Sequence, residues 1–152
     1  MSKYSIRKSS LRDVDMISMI ERVCFAIPWS RDSIEHAIKS KTSYCVSVIC
    51  DGVVVGFGFS RTAADECEIL NLAVAPKHRR GGLGKLILSE MLKESAKRGA
   101  KNAYLEVRAS NEAAVALYED AGFAVTGRGK NYYKYPTEDA VLMALDLAAF
   151  GA

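Results

Sequence analysis

The stretch from Ala75 to Gly99, "APKHRRGGLGKLILSEMLKESAKRG", sets three glycines behind two arginines and in front of an apolar-periodic helix. A helix N-terminus carries unpaired N–H groups and the positive end of the helix dipole. Glycine lets a ligand come close to the backbone and permits positive φ. Gly81, Gly82 and Gly84 therefore predict a cradle for phosphate or pyrophosphate, with Arg79, Arg80 and Lys85 adding charge. Two familiar phosphate loops do not fit. GxxxxGK[ST] fails because Leu86 follows Lys85 and the first glycine is missing. GxGxxG fails because Ile87 stands at the third glycine and residues 75–81 separate Val74 from Gly82.

Two further residues have acid–base chemistry. In "NAYLEVR", alternation puts Leu105 and Val107 on one face and Tyr104, Glu106 and Arg108 on the other. A glutamate inside an apolar strand is costly unless it is solvated or used, and burial would raise its pKa toward that of a useful general base. The structural alternative is an edge glutamate paired with Arg108. In "SNEAAVALYEDAGF", Ala114, Leu117, Tyr118 and Ala121 share one helical face. Tyr118 suits either the core or the role of proton donor to a thiolate. Asn71 in "ILNLAV" is polar inside an apolar strand, the pattern of a bulge that frees backbone donors for a ligand.

The elements that must position these residues follow from periodicity. "KYSIRK" alternates as a strand. Ser10 and Asp13 have capping-box spacing, and Val14, Ile17, Ile20 and Cys24 recur at helical spacing, so residues 11–25 read as helix. "IPWS" ends it, and Ser30 caps a second helix through about Lys39. "SYCVSVIC", Asp51-Gly52 and "VVVGFGFS" read as a hairpin. "ECEILNLAV" is a strand, and a helix runs from about Gly82 to Arg98 with Gly99 behind it. A strand "NAYLEV", a helix "NEAAVALYEDA" and a strand "FAVTGRG" come next. A polar loop, "NYYKYPTED", leads to a last strand, "AVLMALDL". This order predicts an α/β fold: a mixed, mostly antiparallel sheet of about seven strands flanked by about four helices, in one domain over residues 1–152.

Composition narrows the class. The 152 residues are 49% apolar and 26% charged, with a net charge of +3, which suits a soluble globular protein and does not indicate nucleic-acid binding. The four cysteines form no CxxC and only two histidines are present, so no metal site is expected. Cys24 and Cys45 sit among apolar neighbours, as buried reduced thiols of a cytoplasmic protein do. "MSKYSIRKSS" shows no signal-peptide core, and no apolar run approaches the roughly 20 residues of a membrane span.

Taken together, "NLAVAPKHRRGGLGKLIL", "LEVRASNEAAVALYEDAGF" and "NYYKYPTEDAVLMAL" resemble the GNAT acetyltransferases. With "IERVCFAIPWS" near the N-terminus, they resemble more closely the ribosomal-protein-alanine N-acetyltransferases of that superfamily, over about residues 5–147. The R-x-x-G-x-G loop marks only the superfamily; the "LEVRxSNxxAxxLYxxxGF" block with "NYY…EDAxxM" is more specific. The resemblance implies acetyl-CoA as donor, its pantetheine arm paired with the backbone of Leu72, Ala73 and Val74. It implies a pyrophosphate on the amides from Arg80 through Gly81, Gly82, Leu83 and Gly84 to Lys85, and a cofactor contact from Asn111. Glu106 matches the general base and Tyr118 the general acid, and a strand amide near Val74 would hold the oxyanion. Arg79 stands where the family often has glutamine. Tyr132 and Tyr133 would hold the acceptor peptide. The implied acceptor is the N-terminal alanine of ribosomal protein S18, with no nucleic acid, membrane or metal involved. A GNAT acting on lysine or a small amine, and a non-catalytic acyl-CoA-binding module, are the alternatives.

Overall fold

Alternating apolar residues make the strands, and each helix buries one apolar stripe against the sheet they form. The structure, a computed structural model, describes residues 3–148; residues 1–2 and 149–152 of the expected domain lie outside the described residues. The elements are β1 (Tyr4–Lys8), α1 (Val14–Cys24), α2 (Arg31–Lys39), β2 (Ser43–Cys50), β3 (Val53–Ala63) and β4 (Glu66–Val74). They continue as α3 (Leu83–Lys97), β5 (Asn102–Arg108), α4 (Glu112–Asp120), β6 (Ala124–Tyr133) and β7 (Glu138–Asp146). Single 3-10 turns occupy Leu11–Asp13 and Pro76–His78.

The seven strands form one sheet in the order β1-β2-β3-β4-β5-β7-β6. Every neighbouring pair is antiparallel except β4 and β5, which are parallel. The Asp51-Gly52 hairpin forms, with φ of 52° and 78° at its two central residues. Ser30 caps α2 by accepting from Ser33 N–H at 3.1 Å. Asp13 Oδ2 accepts from Ser10 N–H at 2.9 Å, and both its oxygens accept from Arg7, at 2.7 and 2.9 Å. Those bonds tie the start of α1 to β1.

Three boundaries differ from expectation. The first turn of the helix expected at 11–25 is 3-10, because Asp13 N–H bonds back to Ser10 C=O. β3 runs on to Ala63, paired with β4 as far as Ala63↔Glu66. β6 runs on to Tyr133, into the first three residues of what polarity marks as loop, because Tyr133 still pairs with Glu138 of β7 across a register shift.

The helices split between the two faces of the sheet. Ile87, Leu88, Met91 and Leu92 of α3 and Tyr118 of α4 pack with Val46, Val55, Ile69, Leu105 and Val107. Gly58 lets α3 come this near: a Cβ there would stand 2.5 Å from Ile87 Cγ2 and 2.8 Å from Met91 Cε. On the other face, Val14, Ile17, Ile20 and Ile34 of α1 and α2 cover Phe57, Phe59 and Ala73. All four cysteines are free; Cys45, Cys50 and Cys67 are buried, whereas Cys24 is only half-buried.

Candidate active site

The site begins where the sheet opens. β4 and β5 pair only over Glu66–Glu68 and Asn102–Tyr104, and both strands run on past that point without partnering each other. A register shift in the β3–β4 ladder leaves Leu70 as an extra residue, since Ser60 pairs with Ile69 and Phe59 with Asn71. The bulge expected at Asn71 is therefore present. It also turns Leu72 and Val74 onto the α3 face, while Ala73 joins the α1 side.

Backbone polarity in the opening follows from the ladder. Ala75 N–H donates to Val55 C=O at 2.8 Å, so Phe57↔Ala73 is a hydrogen-bonded pair while Gly56↔Val74 and Gly58↔Leu72 are not. Leu72 and Val74 thus aim their N–H and C=O groups away from β3, into the gap beside β5. One of these, Val74 C=O, accepts from Arg79 Nε at 3.0 Å. Arg79 Nη2 also lies 3.2 Å from Cys24 Sγ. The Arg79 side chain is thus drawn to the end of α1 and away from the glycine loop.

The glycine loop opens α3. The first intrahelical bond runs from Leu86 N–H to Gly82 C=O, so Leu83, Gly84 and Lys85 lie in the turn whose N–H groups have no helical partner. Arg80 and Gly82 both take positive φ, 66° and 81°. A Cβ on Gly82 would meet nothing within 4 Å, so the space above the loop is open. A cavity of about 660 Å³ sits there, walled by the loop, by Leu72–Val74 and by Asn111. Asn111 Oδ1 caps α4 by accepting from Ala114 N–H at 3.1 Å, which leaves its NH₂ for a ligand. Open backbone donors, basic side chains at the mouth and an extended strand edge alongside suit a long phosphorylated ligand with an amide-bearing arm.

A second cavity, of about 480 Å³, adjoins the first through Leu72, Asn111 and Ala114. Glu106, Tyr118 and Tyr133 all line it. Glu106 lies on the opposite face from Leu105 and Val107, as alternation predicts, and is exposed, so the strand carries it with no burial cost. Tyr132 donates to Glu106, and that bond, followed by burial, raises the Tyr132 pKa. Tyr118 is buried, its ring centroid 5.8 Å from that of Phe123. Burial pushes its phenol up to about 12, with nearby Tyr133 adding to the shift. It is thus both a core residue and a phenol that keeps its proton at neutral pH. Arg108, the partner considered for Glu106, binds Glu138 instead at 3.0 Å, and its guanidinium lies 4.6 Å from the centre of the Tyr133 ring. A larger cavity, of about 760 Å³, runs along α2 and contains none of the expected site residues.

Behind the second cavity lies a buried carboxyl that no sequence motif marks. Glu21 on α1 is completely buried. Its Oε1 accepts from Asn71 Nδ2 at 2.5 Å, and the Trp29 N–H also donates to the carboxyl. Burial outweighs both bonds and pushes its pKa up to about 7. The available signal was spacing: Glu21 follows Ile17 by four residues and precedes Cys24 by three, on the apolar stripe of α1. Among the described residues, no group of three or more His, Cys, Asp or Glu is placed to hold a metal ion, and no helix is long and apolar enough to cross a membrane.

Known proteins resemble the chain in sequence and in fold. The acetyltransferase (GNAT) family matches residues 14–123. The [ribosomal protein bS18]-alanine N-acetyltransferase of Escherichia coli K12 is 37% identical over 147 residues, spanning 92% of this chain and 97% of that protein. Its counterpart in Salmonella typhimurium is 35% identical over 143 residues, spanning 91% and 95%. The crystal structure of the Escherichia coli ribosomal-protein-S18-alanine N-acetyltransferase superposes with a TM-score of 0.88 at 34% identity, over 95% of this chain and 94% of that one. Arabidopsis thaliana NAA60 in complex with acetyl-CoA shares the fold, with a TM-score of 0.86 at 19% identity over 94% and 99%. The opened sheet, the glycine loop at the mouth of α3 and these relatives lead to one conclusion: the chain belongs to the GNAT acetyltransferase family and is an acetyl-CoA-dependent N-acetyltransferase.

Proposed function

We propose that this enzyme acetylates the α-amine of an N-terminal alanine, with ribosomal protein S18 as acceptor, Glu106 as general base and Tyr118 as general acid. The observation that carries the reading is the joining of two cavities, one walled by the glycine loop and one by the acid–base pair. The acceptor is suggested by the relatives' activity. Acetyl-CoA supplies an acetyl group activated as a thioester. The amides from Arg80 to Lys85 hold its pyrophosphate, the backbone of Leu72, Ala73 and Val74 lies along its pantetheine arm, and Asn111 Nδ2 donates to it. Arg79 acts on the donor site through Val74 C=O.

Only a neutral amine attacks a thioester. An α-amine has a pKa of about 7.7–8.0 and a lysine amine about 10.4, so an exposed carboxylate needs less help to free the first. Glu106 takes that proton, directly or through a water. Tyr118 Oη gives its proton to the departing sulfur. Tyr132 and Tyr133 wall the acceptor's path.

The test is mass spectrometry of products from acetyl-CoA with three peptides: one Ala-initiated, the same peptide N-blocked but containing lysine, and one with a different first residue. Acetyl on the α-amine of the first alone is expected. Acetyl on the lysine, or on none despite acetyl-CoA binding, overturns the reading.

A further inference from the structure

Glu21 is a buried carboxyl that the acid–base chemistry above does not use. Both of its partners, Asn71 and Trp29, line the cavity that holds Glu106. Asn71, its partner at 2.5 Å, follows the extra residue of the β4 bulge. Trp29, whose backbone N–H also donates to it, lines the cavity that holds Glu106, and its ring packs on Phe59 with centroids 5.1 Å apart. Its second oxygen, Oε2, is buried with no hydrogen-bond partner among the described residues.

Hydrogen-bond sense gives the group its effect. Oε1 accepts from Asn71 Nδ2, which holds the NH₂ end of that amide toward α1. The amide oxygen of Asn71 is then left to accept from Leu72 N–H, as it does at 3.2 Å. Glu21 therefore fixes which way the Asn71 amide faces. Through it, Glu21 fixes the strand edge that Leu72 and Val74 present to the gap.

We propose that Glu21 is a positioning residue for acetyl transfer: through Asn71 it sets the donor strand and through Trp29 the acceptor wall, so that the two substrates meet in register. The inference rests on the acetyl-transfer reading above; wild-type turnover of the Ala-initiated peptide tests that reading separately. The variants are Glu21→Leu, which removes the acceptor atom, and Glu21→Gln, which keeps an oxygen facing Asn71. Acetyl-CoA affinity by calorimetry and kcat on the peptide are measured below each variant's melting temperature. Glu21→Leu is expected to lose kcat on the order of 10²-fold, the cost of a misplacement of about 1 Å, while acetyl-CoA affinity changes far less. Glu21→Gln should recover most of that loss. Asn71→Ala removes the relay without touching α1, and is expected to reproduce the Glu21→Leu kcat if the leucine variant does not fold. A folded Glu21→Leu or Asn71→Ala with wild-type kcat overturns the proposal, as does a Glu21→Gln that is as slow as the leucine variant.

Discussion

Glu21 also makes a prediction about stability that is independent of catalysis. Its carboxyl is raised from an ordinary 4.5 to about 7 by burial, which outweighs the Trp29 and Asn71 bonds. A carboxyl raised in the folded state binds its proton more tightly there than in the unfolded chain. Its contribution to stability is therefore present below about pH 4.5 and is lost as pH climbs through about 7. Two and a half units at about 1.4 kcal/mol each make about 3 kcal/mol, most of it lost between pH 5 and pH 8. Glu21→Gln has no proton to lose there. The variant should gain on the wild type as pH rises, opening the gap in Tm by roughly 5–10 °C for a chain of this length. Thermal or urea unfolding of both proteins at pH 5, 6, 7 and 8 measures it, and taking the difference cancels every other titrating group. A gap that stays flat across that range refutes the reasoning, because the folded and unfolded pKa values would then coincide.

Other perturbations separate packing from chemistry. Gly58→Ala should lose about 1–3 kcal/mol by overpacking, since Ile87 and Met91 already stand within van der Waals distance of the new methyl; unchanged urea unfolding would mean α3 shifts freely on β3. Gly82→Val should weaken acetyl-CoA binding, because the loop must abandon a φ of 81° that costs a side-chain-bearing residue about 1–3 kcal/mol. Unchanged affinity by calorimetry in the folded variant removes the loop from the donor site. Tyr118→Phe keeps the ring against Phe123, so stability should fall by at most about 0.5–1.5 kcal/mol while kcat drops and acetyl-CoA still binds. The loss should shrink with a thioester whose thiol has a low pKa; equal slowing with both donors returns Tyr118 to the core.

Local pattern was enough for most of the fold. Alternation in "NAYLEVR" placed Glu106 opposite Leu105 and Val107, and Asp51-Gly52 placed the hairpin, because both depend on neighbours in sequence. The glycine loop was legible for the same reason: its chemistry is backbone and local. The parting of β4 from β5 was not, since pairing that stops at Glu68 and Tyr104 depends on how the two halves of the sheet twist. Polarity misled at the start of "NYYKYPTED", where the pairing of Tyr133 with Glu138 of β7 keeps the strand going. Glu21 stayed hidden because its partner Asn71 lies fifty residues away, joined to it only when α1 docks beside the bulge. Tyr118 had two competing readings on paper, and the structure buries it while also placing it on the wall of the cavity that holds Glu106.

The role of Glu106 is tested most directly by Glu106→Gln, with kcat measured against pH on the Ala-initiated peptide and acetyl-CoA affinity measured beside it. Glu106 is exposed, and Tyr132 can donate to a glutamine oxygen as it does to the carboxyl, so the variant should fold and bind acetyl-CoA as the wild type does. Loss of the proton acceptor should lower kcat at neutral pH by about 10²–10⁴-fold. The deficit should narrow above about pH 8, where the α-amine loses its proton unaided. A variant that keeps near-wild-type kcat at pH 7 contradicts the account, and the base then lies elsewhere in the cleft.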